Sequence, residues 1–385
     1  MKVLYAGDVL PADSTSGAKV LYRHLRLLAS SHPVTIAHWD QAQVPGCQGQ
    51  LLPVRALARY ALASRRRRHW EALDAIVGLR VADRHLAHVA RTTGAEVLVT
   101  VAQGGLCHNA RRVAARLGLP LATFFHDWSP DWRDHPHWAA GALDRSFRGL
   151  YRASACPLCI SEEIRVELGN HPDAVTLLPI PEPKTIPAMP PPPAPAGATL
   201  TYAGVLNGLY EHEMLRLGGA ALAQPRTPVL TFFGPHPHWG DPIGQQILTG
   251  GMYRGMLDSR ALRAALTASA ALLVVLPFGE NHRRFSRCSF SSKISEYCSV
   301  GRPIIVWGPA YSSGVRWAEA SGAALVVTDP NPRELLRQAN ELLADPARQF
   351  TLASRALAEA GTRFNPQRLQ SQFEAALFHA AGRTS

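Results

Sequence analysis

Short apolar segments alternate with helical patterns along almost the whole chain, and this alternation limits the possible folds more than any other feature. In the first part, strand patterns occur at residues 2–7, 34–38, 96–101, 121–126 and 157–161. Helical patterns lie between them, at residues 18–28, 56–91 and 106–117. Strands and helices that alternate in this way predict βαβ units and a parallel sheet covered on both faces.

The alternation stops once, at residues 181–197, where eight of 17 residues are proline. Proline fits neither a helix interior nor a central strand, so this segment is interpreted as an extended interdomain linker. Strand patterns resume at residues 199–204, 229–234, 271–277, 303–307 and 324–328, and from residue 332 the pattern is helical throughout. We expect two α/β domains, at 1–180 and 198–362, and a terminal helix within 363–385.

Composition excludes several classes of protein. With 46% apolar and 18% charged residues, the chain is typical of a folded globular protein. It has no apolar segment long enough to cross a bilayer, no signal-peptide pattern, and only six cysteines, so we expect a cytoplasmic protein.

The net charge of +11 comes from 36 arginines and four lysines: Lys2, Lys19, Lys184 and Lys293. A GC-rich bacterial genome would explain the bias, and affinity for phosphate or an anionic membrane is the functional alternative. Nucleic-acid binding is disfavoured because the arginines are dispersed and no recognised module appears.

Polar residues follow the predicted strands of the first half. Gly17 begins a helix whose free N–H groups would suit an anion, although Ser14 or Ser16 could be an ordinary cap. His126 and Asp127 follow the strand at 121–126 in an aromatic loop, where they suit proton transfer or sugar stacking.

Metal binding in this loop is disfavoured. It also contains Asp134, His135 and His137, but their spacing matches no zinc or di-metal pattern. The alternative for His126 is a hydrogen-bonded residue beneath the loop.

In the second half, Ser291 and Ser292 are placed to cap a helix, and Lys293 stands in its first turn. A lysine there is unfavourable for the helix dipole unless an anion binds. Glu296 lies about one turn further on. This set suits a nucleotide diphosphate, with phosphates at the helix start and ribose hydroxyls on the carboxylate. The alternative is an imperfect capping box.

The segment SSKISEYCSVGRPII, residues 291–305, resembles the C-terminal motif of GT-B glycosyltransferases, most closely family 4. Residues 160–168, 178–181, 201–206 and 253–278 resemble further family segments in the same order. The resemblance implies two doubly wound Rossmann-like domains facing a cleft, with the terminal helix packing back on the N-terminal, acceptor-side domain.

The implied activity is retaining, metal-independent transfer of a sugar from a UDP- or GDP-linked donor to a glycan, lipid-linked or small-molecule acceptor. No Asp-X-Asp triplet occurs, and no tightly bound cofactor is implied. By resemblance, Ser292 and Lys293 face the diphosphate, Glu296 the ribose and Gly17 a donor phosphate. His126, with Asp127, orients the sugar or the incoming hydroxyl. Further donor-site candidates are Gly204, Asn207, Glu280, Arg283 and Arg284.

Two departures from the family keep alternatives open. Cys288 stands where many relatives have the first of two glutamates, and Glu280 is a candidate replacement. The Arg/Lys pair that usually follows the glycine turn is absent, so Arg283, Arg284 or Lys293 would have to supply the phosphate charge. The alternatives are a nucleotide-sugar epimerase on the same fold and a non-catalytic, degenerate transferase that acts as a binding partner.

Two further groups have competing interpretations. Four consecutive arginines, Arg65, Arg66, Arg67 and Arg68, precede His69 and Trp70. They suit peripheral docking on the inner, anionic face of a membrane, or a solvated helix face. Cys156 and Cys159 have redox spacing, but their strand pattern favours core packing.

Overall fold

The computed structural model describes residues 1–13, 16–52, 67–78, 82–131, 136–183, 186–193, 199–224 and 229–382. The chain forms two compact units. Residues 1–180 and 366–385 form the N-terminal unit, and residues 181–365 form the C-terminal unit.

The N-terminal unit is built on a seven-stranded parallel sheet with the order β3-β2-β1-β4-β5-β6-β7. Its strands are β1 (Val3–Ala6), β2 (Val34–His38), β3 (Gln48–Leu51), β4 (Val97–Val101), β5 (Leu121–Phe125), β6 (Cys156–Cys159) and β7 (Val175–Thr176). The described helices are α1 (Ser16–Leu28), α2 (Arg67–Val77), α3 (Asp83–Thr93), α4 (Leu106–Leu117), α5 (Ala140–Ala153), α6 (Glu162–Leu168) and, from the chain end, α15 (Pro366–Ala380).

Buried apolar strands explain this sheet. All residues of β1, β2, β4, β5 and β6 are buried, as expected for strands with helices on both faces. Helices α3 and α4 each end at a left-handed glycine, Gly94 and Gly118. Helix α15 adds Leu369, Phe373 and Leu377 to the same core as β1 and β5.

The predicted helical stretch at 56–91 corresponds in its described part to two helices, α2 and α3, rather than one. The part of the stretch at 56–66 and 79–81 lies outside the described residues. Cys156 and Cys159 lie in β6, both buried and both without a disulfide. Burial raises the pKa of each thiol to about 12, which suits core packing rather than redox chemistry.

The C-terminal unit has a five-stranded parallel sheet with the order β12-β11-β10-β8-β9. Its strands are β8 (Leu200–Ala203), β9 (Leu230–Phe233), β10 (Ala271–Val275), β11 (Ile304–Trp307) and β12 (Ala324–Val327). Its helices are α7 (Glu211–Leu222), α8 (Pro242–Thr249), α9 (Ser259–Ala268), α10 (Arg283–Cys288), α11 (Ser292–Cys298), α12 (Ser313–Ser321), α13 (Pro332–Leu343) and α14 (Pro346–Gly361).

The predicted helical pattern from residue 332 onward, with its separate terminal helix within 363–385, divides into α13, α14 and α15. Each of these helices begins with a proline, which is tolerated in the first turn and not in a helix interior. The side chains of Asn331 and Asp345 accept backbone hydrogen bonds at the starts of α13 and α14. The prolines therefore separate the helices.

The proline-rich segment lies against the C-terminal unit where it is described. The buried Arg302 donates from Nε to the Thr267 carbonyl at 2.7 Å and from a terminal nitrogen to the Pro192 carbonyl at 2.7 Å. A Cβ on Gly301, which has φ +78°, would lie 3.1 Å from Pro191. The glycine–basic–proline turn thus holds the proline-rich segment.

Each sheet has one point where the strand order reverses. In the N-terminal unit it lies between β1 and β4, and in the C-terminal unit between β8 and β10. Ligands of open α/β sheets bind beside such points, at the carboxyl ends of the strands. Functional side chains are therefore expected on the loops that follow these strands.

Candidate functional sites in the two units

Lys293 lies between two tyrosine rings at the reversal point of the C-terminal sheet. Its Nζ is 5.0 Å from the ring centroid of Tyr202, at the end of β8, and 5.2 Å from that of Tyr210. Among the residues that the structure describes, no carboxylate pairs with this ammonium. Tyrosine faces attract a cation but do not neutralise it. The ammonium thus keeps its charge available for an anion.

Gly204 makes room for this lysine. A Cβ at this position would lie 2.3 Å from Lys293 Cε and 2.7 Å from Nζ, and the backbone φ of +153° favours glycine. Glycine at this turn therefore suits the backbone conformation and leaves the space in which the end of the Lys293 side chain lies.

Tyr297 fixes the same turn to α11. Its hydroxyl accepts a hydrogen bond from Ala203 N at 2.9 Å, and its ring is buried. The Tyr202 hydroxyl donates to the Val205 carbonyl at 2.7 Å. These bonds position the glycine turn and Lys293 against each other.

Burial lowers the pKa of Lys293 from its ordinary value of 10.5 to about 8. Removing an ammonium from water disfavours its charged form. A polyanion beside it would favour the charged form again. The electrostatics of the site therefore suit a diphosphate.

The other predicted residues of α11 lie in the same short element. Ser292 is its first residue, and Ser291 precedes it without a side-chain capping bond. Glu296 is half-buried. Burial lowers the pKa of Arg263, whose guanidinium donates to Ser299, and the charge of Glu296 partly opposes that shift. Because α11 has only seven residues, Lys293 rather than the helix dipole dominates the electrostatics here.

The remaining donor-site candidates lie on loops of the same unit. Asn207 is exposed after the glycine turn. Glu280 is exposed and pairs with Arg283 at 3.1 Å, while Arg283 stacks on Tyr311 at 4.4 Å. Arg284 is half-buried in α10. The described contacts bring Gly204 and Lys293 together, and they join Glu280 to Arg283 instead of to Lys293.

Cys288, at the position of the family's first glutamate, is completely buried at the end of α10. A carboxylate there would lose its hydration. The local structure thus explains why an apolar thiol suits this position.

In the N-terminal unit, the structure brings Gly17 and His126 together. A Cβ on Gly17 would lie 3.4 Å from Nδ1 of His126, so the second residue of α1 faces the ring at the end of β5. Burial lowers the pKa of His126 to about 4, so the ring is neutral at neutral pH. Asp127 is half-buried beside it.

A carboxylate that was not predicted lies at the reversal point of the N-terminal sheet. Asp8 accepts from Trp39 Nε1 at 2.8 Å and from Leu106 N, at the start of α4, at 2.7 Å. A Cβ on Gly104 would lie 2.2 Å from its Oδ2. Asp8 therefore organises the loops after β1 and β4.

Sequence reasoning also missed Tyr202, Tyr210 and Tyr297 because aromatic residues in and after an apolar strand are typical of core packing. Their only signal was position, since Tyr202 precedes a glycine turn at a strand end.

Residues 14 and 15, and the loop residues Asp134 and His135, lie outside the described residues, while His137 begins a short 3₁₀ turn. In the described part of the chain, no group of three metal-ligating side chains occurs.

Helix α2 exposes an apolar stripe formed by Trp70, Leu73 and Val77, with exposed fractions of 44%, 37% and 49%. Its opposite face packs Ala72 against Leu143 of α5. We call the stripe, together with Trp138, the α2 surface. Trp138 is 57% exposed and stacks on His69, with Nε1 donating to Nδ1 at 2.9 Å.

Of the arginines beside the α2 surface, Arg68 is exposed. Arg65, Arg66 and the side chain of Arg67 lie outside the described part. Within the described ranges, no helix combines the length and apolar character of a membrane span.

Solved structures of glycosyltransferases match the chain over almost its whole length. Sucrose-phosphate synthase from Thermosynechococcus elongatus is 14% identical, with 99% of this chain and 100% of that chain covered and a TM-score of 0.70. The chain has the GT-B fold.

Two further GT-B structures are similar over the same extent. Anabaena HepE, solved in complex with UDP, is 13% identical at a TM-score of 0.65, covering 98% of this chain and 100% of its own. An α,α-trehalose-phosphate synthase (UDP-forming) from Burkholderia vietnamiensis is 11% identical at 0.61, with coverage of 98% and 100%. The predicted fold class is therefore confirmed.

No protein-family model matches the chain, and no curated protein matches its sequence. At identities of 10–14%, the structural likeness describes the fold of this chain and not its substrates.

Proposed function

We propose that this chain is a glycosyltransferase that moves a sugar from a nucleotide-diphosphate sugar to an acceptor hydroxyl, with retention and without a metal ion. One observation carries the proposal: the ammonium of Lys293 is held between Tyr202 and Tyr210, beside Gly204, with no carboxylate partner among the described residues. A GT-B fold with such a cation at a strand-order reversal suits a donor diphosphate.

The chemistry explains why a cation is needed at this position. When the bond between the sugar and the diphosphate breaks, negative charge accumulates on the departing phosphate oxygen. A preorganised ammonium stabilises this charge more in the transition state than in the bound donor. Lys293 is assigned that role, Ser292 assists at the diphosphate, and Glu296 binds the ribose hydroxyls.

The sugar and the incoming hydroxyl are assigned to the N-terminal unit. His126 is neutral there, and Gly17 leaves open space beside its Nδ1. A neutral imidazole can accept or donate one hydrogen bond, which suits orientation of a hydroxyl. Asp127 is assigned to support the same group.

The nucleotide is proposed to be UDP or GDP, and UDP is tested first because HepE was solved with UDP and with UDP-glucose. The purified chain is incubated with UDP-glucose or GDP-mannose, and nucleotide release and sugar products are followed by chromatography. Nucleotide release with retained anomeric configuration supports the proposal. Epimerised donor without release would instead indicate an epimerase, and binding without any turnover would indicate a degenerate binding partner.

The acceptor is proposed to be lipid-linked, which would bring the N-terminal unit to an anionic membrane surface. Exposed tryptophans beside arginines are typical of peripheral binding, because the rings enter the headgroup region while the cations meet anionic lipids. The α2 surface has Trp70, Trp138 and Arg68 exposed.

A further inference from the structure

Two histidines of the N-terminal unit, the buried His24 and the half-buried His126, share one aromatic neighbour. The ring centroids of His24, from α1, and of His126 lie 6.0 and 5.2 Å from that of Phe124. Phe373 of α15 covers His24 at 4.8 Å and Phe124 at 5.4 Å. Both phenylalanines and His24 are almost completely buried.

A chain of hydrogen bonds determines which nitrogen of His24 carries the proton. Gln370 Nε2 donates to Glu374 Oε1 at 2.7 Å, and a carboxylate can only accept. The amide oxygen of Gln370 must therefore face His24 Nδ1, at 2.9 Å. Because that oxygen also only accepts, Nδ1 of His24 carries the hydrogen.

The other nitrogen of His24 is consequently an acceptor. Burial lowers the pKa of His24 to about 4, so the ring is neutral and Nε2 presents a lone pair. Nε2 of His24 and Nε2 of His126 are both buried, and neither has a hydrogen-bond partner among the described residues. A charge on His126 also disfavours a charge on His24, as expected for neighbouring rings.

Buried polar atoms without partners are rare in proteins, so a common partner is expected for two such atoms beside one phenylalanine. We propose that one bridging water accepts a hydrogen bond from His126 Nε2–H and donates one to His24 Nε2, so that His24 is a positioning residue for His126. The proton of His126 is then on the buried nitrogen. Its Nδ1 presents a lone pair toward the start of α1, where Gly17 leaves space.

The catalytic consequence rests on the proposed function. In a glycosyltransferase, His126 Nδ1 would accept a hydrogen bond from a sugar or acceptor hydroxyl, and a ring with its proton on Nδ1 could not. Through Gln370, helix α15 would thus determine the hydrogen-bonding state of a residue at the end of β5.

The tautomer is tested first, on the wild-type chain labelled with ¹⁵N-histidine. Among the 16 histidines, His24 and His126 are assigned from the signals lost in His24→Asn and His126→Asn. We expect His24 protonated at Nδ1 and His126 protonated at Nε2. A proton on Nδ1 of His126 in the wild type would overturn the proposal, whether or not the chain has transferase activity.

Two matched variants test the link itself. Asparagine at position 24 places its amide near the Nδ1 position and loses the Nε2 acceptor, whereas glutamine reaches the Nε2 position. We expect His24→Asn to give mixed His126 tautomers and about tenfold lower kcat/KM, with unchanged Kd for UDP. His24→Gln should restore the single tautomer and stay within twofold of wild type. Equal behaviour of the two variants would contradict the proposal.

Discussion

At the scale of the residue, the charge of Lys293 lowers the stability of the chain without ligand and favours the binding of an anion. Its pKa is lowered to about 8, so below pH 8 the folded chain without ligand holds an unfavourable charge. The unfolded chain keeps an ordinary lysine and binds more protons between pH 8 and 10.5, so this residue makes stability rise with pH in that window.

Lys293→Met should therefore raise the free energy of unfolding at pH 7 by up to about 3 kcal/mol, because it removes the desolvated charge. The gain should fall close to zero near pH 10.5, where the lysine is neutral in the folded state and half protonated in the unfolded state. Urea unfolding of both proteins at the two pH values measures it. A variant that is less stable at pH 7 would contradict this explanation of the pKa.

Gly204→Ala should displace Lys293, because the new Cβ would lie 2.3 Å from Cε. We expect at least about tenfold weaker UDP binding and a stability loss on the order of 1–3 kcal/mol. The matched control is Gly118→Ala, which has φ +67° and nothing within 4 Å of its Cβ. Equal UDP affinity in the two variants would exclude a role for Gly204 in placing the lysine.

Residue types explain which parts of the site could be predicted. Lys293 was identified because lysine is rare in this chain and unfavourable at a helix start. Tyr202 and His24 were not, since a buried aromatic residue follows the same sequence pattern whether it packs the core or holds a functional group. Only three-dimensional contacts separate these two uses.

At the scale of the element, strands and helices were predictable where burial produced a pattern. Strand β2 and helix α4 have the predicted bounds, Val34–His38 and Leu106–Leu117. Strand β3, Gln48–Leu51, was missed because all four of its residues are exposed at the sheet edge. An edge strand is held by backbone hydrogen bonds, which leave no apolar pattern.

The α2 surface gives a prediction at this scale. The double variant Trp70→Ser/Trp138→Ser should bind vesicles containing phosphatidylglycerol about tenfold or more weakly, since burying each half-exposed ring contributes on the order of 1–2 kcal/mol. Co-sedimentation measures the bound fraction. Val166→Ser, which changes another exposed apolar residue of the same unit, is the control. Equal binding of wild type and double variant would remove the α2 surface from the proposal.

At the scale of the whole molecule, the N-terminal unit is completed by the end of the chain. Helix α15 buries Leu369, Phe373 and Leu377 in the core that contains β1 and β5. The repeated strand–helix pattern predicted that each unit has a parallel sheet covered by helices on both faces. No pattern could specify the hydrogen bond between His24 and Gln370, because it joins residues 346 positions apart.

Removal of residues 366–385 should unfold the N-terminal unit, because each lost large apolar side chain contributes about 2–5 kcal/mol, comparable to the total stability of a domain. Near-ultraviolet circular dichroism and size-exclusion chromatography measure the loss. Gln367→Ala, a change on the exposed side of α15, should leave both unchanged. A well-folded truncated chain would contradict the assignment of α15 to this core.

The central claim is that Lys293 binds a nucleotide diphosphate, and isothermal titration of UDP and GDP at pH 7 tests it most directly. We expect one of them to bind wild type and the Lys2→Met control with equal Kd, and Lys293→Met at least about 100-fold more weakly, since a charge-assisted contact contributes about 3 kcal/mol. Equal affinity for wild type and Lys293→Met, or no binding of either nucleotide to wild type, would contradict the account.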